Sequence, residues 1–320
     1  MKKFSYLATA FTLTLLLAAC GTNNSDTDSS SASTADSSVA ATEQTISYLG
    51  EDYTLSYPTS KVVTASLEAM EDAAALKFQP LGAITVSGEI PSYLKSTLGD
   101  NVANVGDKFG PDVEAVTTLA PDVILGSTKF DEQVTANLNE IAPTINVSHQ
   151  SADWDKNLLL LGELIGETDT AQPLIDTYND DLAAFKKEHT DLADTSVVML
   201  RIREGELCVY GPGLYYNPML YDDLGFKMPD EIADIEKQTT ISVEQFVKWD
   251  VDLVLVQFMD SENSGQETFL DELKENTVWK SSEAHANDSI LYNIVDGGYQ
   301  GGTYLSKDVM LQALKTELSN

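Results

Sequence analysis

One amphipathic stretch, residues 169–189, separates two runs in which short apolar segments alternate with helical ones. Leu174, Ile175, Tyr178, Leu182 and Phe185 recur at helical spacing and so share one face. The spacing predicts a single helix of about 20 residues, ~30 Å long at its normal rise. Before it, residues 61–65, 81–86, 102–105, 123–125 and 144–147 read as strands. Residues 67–78, 91–98, 112–119, 131–141 and 154–165 between them read as helices. After it come strands at 197–200, 253–256 and 289–294, with helices at 218–224, 242–248, 268–274 and 304–318. A hairpin is expected around Gly50, between Ile46-Ser47-Tyr48-Leu49 and Tyr53-Thr54-Leu55. Strand–helix alternation builds parallel sheets covered by helices. The expected fold is therefore α/β, with two Rossmann-like lobes, 46–167 and 191–320, joined by one long helix at 168–190. A chain of 320 residues suits about two domains.

An internal echo supports the two lobes. Residues 113–125 match residues 243–255 at a constant offset of 130. Each copy has a Glu at the start of a helix, Glu114 or Glu244, an Asp eight residues on, and then an apolar strand.

Charge narrows the possible partners. The chain has 51 acidic and 19 basic residues, a net charge of −32. No basic stripe exists to replace counterions along a phosphate backbone, so nucleic acid is excluded as a partner. Arginine is confined to Arg201 and Arg203, at the end of a predicted strand, where alternation puts both guanidiniums on one face. Lysine supplies the generic charge, and arginine sits where a planar set of donors matters. Surface pairing with Glu204 and Glu206 is the competing reading.

The N-terminus reads as an export signal. Met1-Lys2-Lys3 is basic, and residues 4–19 are uncharged with a leucine-rich centre. Leu17-Ala18-Ala19-Cys20 resembles the lipobox of bacterial lipoproteins, whose cysteine becomes the lipidated first residue. Residues 20–45 hold twelve Ser/Thr, four acids and no aromatic, a composition that cannot bury itself and so makes a flexible tether. With Cys20 acylated, Cys208 has no disulfide partner, and its apolar neighbours make it a core residue. Three histidines, His149, His189 and His285, and no nucleophile elbow, zinc helix or phosphate loop argue against an enzyme.

Taken together, the chain resembles the class III substrate-binding proteins of ABC importers, in the ferric-siderophore and vitamin-B12 group. The lipobox at Cys20, the polar tether, Lys61-Val62-Val63, Gly106 to Pro111 leading into Asp112-Val113-Glu114, and Ala120-Pro121-Asp122-Val123-Ile124-Leu125 carry the likeness, with Trp249-Asp250-Val251-Asp252 further on. Arg201-Ile202-Arg203-Glu204-Gly205-Glu206, followed by Tyr215-Tyr216-Asn217-Pro218, looks most like members that carry ferric hydroxamates. The resemblance implies an extracytoplasmic, lipid-anchored, monomeric protein. It would capture an iron(III)-siderophore between its lobes and pass it to a permease dimer with ATPase subunits.

Ligands of two-lobed α/β proteins lie at the carboxyl ends of strands. There Arg201 and Arg203 would grip the oxygens around iron. Tyr215, Tyr216 and Tyr299 would offer aromatic walls, Tyr299 from the glycine-rich run 297–302. Ser87, Lys108, Phe109, Lys129 and Phe130 would come from the first lobe. Any one of these aromatics has core packing as its alternative. Glu114 and Glu244 would dock on permease arginines, one per lobe. Two arginines and few cleft lysines favour a hydroxamate over a catecholate. Haem, with His149 or a methionine as ligand, cobalamin and a bare metal ion are the alternatives. No cofactor and no catalytic residue is expected. A single connecting helix predicts small closure on binding.

Overall fold

The computed structural model describes residues 42–86, 88–99, 101–108 and 110–319. The signal segment, Cys20, most of the tether, Ser87 and Phe109 lie outside the described residues. Strand β1 (Thr42–Tyr48) pairs antiparallel with β2 (Glu51–Tyr57). Leu49 and Gly50 between them both take positive φ, as a tight hairpin turn requires. Thr42 to Thr45, read above as tether, are thus strand, because each has a partner across the hairpin. Ile46, Tyr48 and Leu55 bury one face of the ribbon. Tyr48 fixes it to the body, since its hydroxyl accepts from the Ser148 backbone N–H at 2.7 Å and donates to Asn157.

The first lobe follows as β3 (Val62–Thr64), α1 (Leu67–Ala75), β4 (Gly82–Thr85), α2 (Ser92–Leu98), β5 (Ala103–Asp107), β6 (Gly110–Pro111), α3 (Val113–Leu119), β7 (Val123–Ser127), α4 (Glu132–Asn139) and β8 (Thr144–Val147). Its sheet has the order β6-β5-β4-β3-β7-β8, parallel except at β6. The central strands β3 and β7 are buried along their whole length, which is why they read as continuous apolar runs. Ser66, Asp112 and Asp131 cap the helices that follow them through side-chain oxygens.

Helices α5 (Trp154–Ile165) and α6 (Thr168–Glu188) are separated by Gly166 in the left-handed region. The long connecting helix buries Ala171, Ile175, Tyr178 and Phe185, the face expected from its spacing. The second lobe contains β9 (Val197–Arg203), β10 (Glu206–Val209), α7 (Asp230–Ala233), β11 (Thr239–Ile241), α8 (Val243–Phe246), β12 (Leu253–Phe258), α9 (Phe269–Glu275), α10 (Glu283–Ala286), β13 (Ile290–Tyr292) and α11 (Tyr304–Glu317). Its sheet order is β11-β10-β9-β12-β13, with β9, β12 and β13 parallel and β10 antiparallel to β9. The β9–β10 hairpin was not expected. Its signal was present as Glu204-Gly205, which both take positive φ.

The echo holds in space: α3 leads to β7 beside β3, as α8 leads to β12 beside β9. Helix α11, the last element of the stretch 191–320, packs on the first lobe. Met310, Leu311 and Leu314 of α11 are buried in the first lobe's core, against α1, α5 and α6. One face of the second sheet joins that core through Val197, Met199, Leu253 and Leu255. The other face forms its own core with Phe246 and Trp279. Among the described residues no helix is long and apolar enough to cross a membrane.

Candidate functional site

Parallel strands point their carboxyl ends to one edge, and the loops leaving that edge in both sheets face each other. They enclose a cavity of about 480 Å³. The first lobe contributes Ser66, Glu68, Lys108, Lys129, Phe130 and His149 to its wall. The second contributes Tyr210, Tyr215 and Gln238, with Thr303 and Ser306 at the start of α11. A second hollow of about 550 Å³ adjoins at Lys108 and is lined by Asp107, Arg203, Glu204 and Glu262.

Arg201 and Arg203 do share a face of β9, and the acid between them is Glu262, neither Glu204 nor Glu206. Arg201 Nε donates to Glu262 Oε2 at 2.7 Å, and Arg203 Nη2 lies 3.4 Å from Oε1. The β9 strand runs parallel to β12, so the turn after β12 brings Glu262 over the end of the hairpin. The two arginines differ in exposure: Arg201 is 3% exposed, whereas the Arg203 side chain is 36% exposed. Arg201 lines neither cavity, and its Nη1 donates instead to the Tyr215 hydroxyl. Arg203 Nη1 donates to Gln238 Oε1 at 2.7 Å at the cavity wall.

The three tyrosines part company. Tyr215 lines the cavity and stacks on Tyr210 at 4.5 Å between centroids. Its backbone sits at φ +60°, a strained setting for an aromatic residue. Tyr216 is a core residue, buried with Met219 and Leu220, because the next residue along that strained backbone points inward. Tyr299 packs on Tyr93 of the first lobe at 4.2 Å and lines neither cavity. Gly301, at φ +78°, passes so close that a Cβ there would lie 2.8 Å from the Tyr215 carbonyl oxygen.

Lys129 is exposed at the rim, with Nζ 3.4 Å from Glu68 Oε1. Lys108 is half-buried, and burial together with the nearby Arg203 lowers its pKa. Phe130 rests against the first lobe's core. Burial first, then Lys129, lowers the pKa of His149. Its Nδ1 lies 2.7 Å from Thr128 Oγ1, and its Nε2 lies 2.9 Å from Gln150 Nε2, so both ring nitrogens are engaged.

Glu71 was missed. It is fully buried on α1 and also lines the cavity. Tyr93 and Ser306 each donate a hydroxyl to it at 2.7 Å, and Thr303 does so as well. Burial pushes its carboxyl up to about 6, against the pull of these donors. Asp72 beside it is raised further, again by burial. The only signal in the sequence was a pair of acids inside the small apolar run Met70 to Ala75. Glu114 and Glu244 are exposed in the first turns of α3 and α8. Among the described residues no group of three or more His, Cys, Asp or Glu is placed to hold a metal ion.

Comparison with known proteins agrees with this architecture. Residues 62–292 match the family described as periplasmic binding protein. The iron-uptake system-binding protein of Bacillus subtilis is 37% identical over 321 residues, covering all of this chain and 99% of that protein. A probable siderophore-binding lipoprotein of the same organism, YfiY, is 26% identical over 99% of both chains. The crystal structure of the iron-uptake protein, FeuA, superposes with a TM-score of 0.84 at 36% identity, over 86% of this chain and 100% of that one. The triscatecholate siderophore binding protein FeuA complexed with ferri-bacillibactin gives a TM-score of 0.78 at 37% identity, over 86% of this chain and 98% of that one. Two α/β lobes, a single long connecting helix and a cleft at the strand ends thus place this chain in the periplasmic binding protein family.

Proposed function

We propose that this protein is the extracytoplasmic substrate-binding component of an ABC importer, which captures an iron(III)-siderophore between its lobes and delivers it to the permease. One observation carries the reading. Lys108 and Lys129 from one lobe line a cavity walled by Tyr215 and Phe130, and Arg203 from the other lobe lines the adjoining hollow that Lys108 shares. Cations with aromatic walls suit a large, part-apolar anion.

The charge of the chelate follows from the same residues. Three doubly deprotonated catecholates around iron(III) leave three negative charges, whereas three hydroxamates leave none. The expectation of a hydroxamate already counted Lys108 and Lys129 in the cleft; both line the cavity, and Arg203 adds a third cation in the adjoining hollow. The tris-catecholate class is therefore the better match, in keeping with the chelate held by the Bacillus subtilis relative. The hydroxamate class is the second reading, favoured by Glu68 and Glu71 in the same wall. A haem ligand finds little support in His149, whose nitrogens are engaged.

Export with lipidation at Cys20, a monomeric state, and permease docking through Glu114 and Glu244 complete the proposal. Ligand is bound without turnover. The test is intrinsic-fluorescence titration with ferric tris-catecholate, tris-hydroxamate and citrate chelates, haem, and ferric ion alone. Stoichiometric binding, tightest for tris-catecholate, is expected. Tightest binding of haem or of the bare ion would overturn the reading.

A further inference from the structure

The Tyr215 hydroxyl has a defined polarity. A guanidinium has donors only, so the phenol oxygen accepts from Arg201 and its own hydrogen must point elsewhere. Among the described residues no acceptor takes that hydrogen, and Tyr215 borders the main cavity. A cation at one lone pair draws electron density from the O–H bond and makes it a stronger donor.

The parts behind it are fixed. Arg201 is buried and held by Glu262. Glu262 cannot swing away freely, because the next residue, Asn263, clamps the turn to the β9–β10 hairpin. Asn263 is fully buried, donates through Nδ2 to the carbonyls of Ile202 and Met259 at 2.9 Å each, and accepts from the Gly205 N–H at 3.1 Å. Acid, guanidinium and phenol therefore ride on one unit. The ring is held in turn by Tyr210 on its face and by Gly301 against its backbone.

Resting on the reading of the cleft as a ferric-chelate site, we propose that Tyr215 is a specificity-determining hydrogen-bond donor to the metal-bound oxygens of the ligand, aimed by Arg201 and Glu262 as positioning residues. A half-buried donor that a bound ligand would cover rewards a ligand that presents a charged oxygen and penalises one that presents carbon, since its desolvation is then uncompensated. Arg201 thus acts on the ligand through Tyr215, and Arg203 alone of the pair lines a hollow itself, the one adjoining at Lys108.

The test compares wild type, Tyr215→Phe, and protein carrying 3-fluorotyrosine at position 215. Each is titrated with ferri-bacillibactin and with a ferric tris-hydroxamate, and the ligand-to-iron charge-transfer band is recorded in each complex. Tyr215→Phe keeps the ring and its stacking, and should weaken binding by roughly 10- to 100-fold. It should also shrink the band shift that the protein induces. Fluorotyrosine, a more acidic phenol of nearly the same shape, should enlarge that shift. A structural role would move the melting temperature and leave the band alone. Unchanged affinity and band in Tyr215→Phe would overturn the proposal, as would an unmoved band with fluorotyrosine should Tyr215→Phe fail to fold. Wild-type protein that binds neither chelate would instead refute the reading of the cleft, and this proposal with it.

Discussion

Ser306, in the first turn of α11, donates its hydroxyl to Glu71 on α1 at 2.7 Å, across 235 positions of sequence. Thr303 and Tyr93 close the other sides of the carboxylate. The loop from β13 to α11 is thereby tied to the first lobe, with the Tyr93 hydroxyl oxygen also lying 3.3 Å from the Gly298 carbonyl and Ser151 donating to that of Gly301 at 3.1 Å.

This tie predicts an unusual pH response. The unfolded Glu71 carboxyl titrates near 4.5, while burial holds the folded one at about 6. Between those values the folded chain keeps a proton that the unfolded chain has lost. Stability therefore falls as pH rises through this window, and the contribution, about 2 kcal/mol, is complete only below it. Asp72 shifts in the same direction. Urea unfolding of wild type and Glu71→Gln across the window should show a flatter dependence in the variant. Parallel curves would refute the assignment.

The same contacts, with a single connecting helix, predict limited closure on binding. Small-angle scattering should show nearly the same radius of gyration with and without ligand. Large compaction would contradict this.

The arginines should separate in mutagenesis. Arg201→Ala leaves the largely buried Glu262 without its main partner and should cost about 3–5 kcal/mol of stability. Arg203→Ala, at a partly exposed position, should leave stability within about 0.5 kcal/mol while weakening ligand binding. Chemical unfolding and fluorescence titration measure the two effects. Equal stability losses would contradict the division.

Gly301→Ala tests how far the Tyr215 setting depends on its neighbour. The position lies at φ +78°, and a methyl group there would sit 2.8 Å from the Tyr215 carbonyl oxygen. A loss of about 1–3 kcal/mol is expected, with weaker ligand binding. A neutral outcome in both would show that the loop yields.

Charge reversal at Glu114 and Glu244 should abolish uptake in cells and leave ligand affinity unchanged. Both side chains are exposed and lie outside the cavity lining, so folding should tolerate the change. Loss of affinity of the same size would contradict a docking role.

Much of the architecture was legible because it is written locally. The continuous apolar runs of β3 and β7 and the one-sided face of α6, which recurs every 3.6 residues, are patterns that a stretch of chain carries within itself. Arg201 and Arg203 could be placed on one face by alternation alone. What lies opposite them could not, because Glu262 is 61 positions away and only the parallel pairing of β9 with β12 delivers it. In sequence Glu71 is one more acid on a helix. Folding packs α11 over it, withdraws water and substitutes three hydroxyls, and so turns an ordinary carboxylate into a buried one. Tyr216 went to the core and Tyr215 to the cleft for a like reason: neighbouring side chains diverge, and only the strained backbone between them settles which one borders the cavity. Local propensity fixed the elements; the environment of each charged and aromatic group came from chain segments too distant for any local pattern to report.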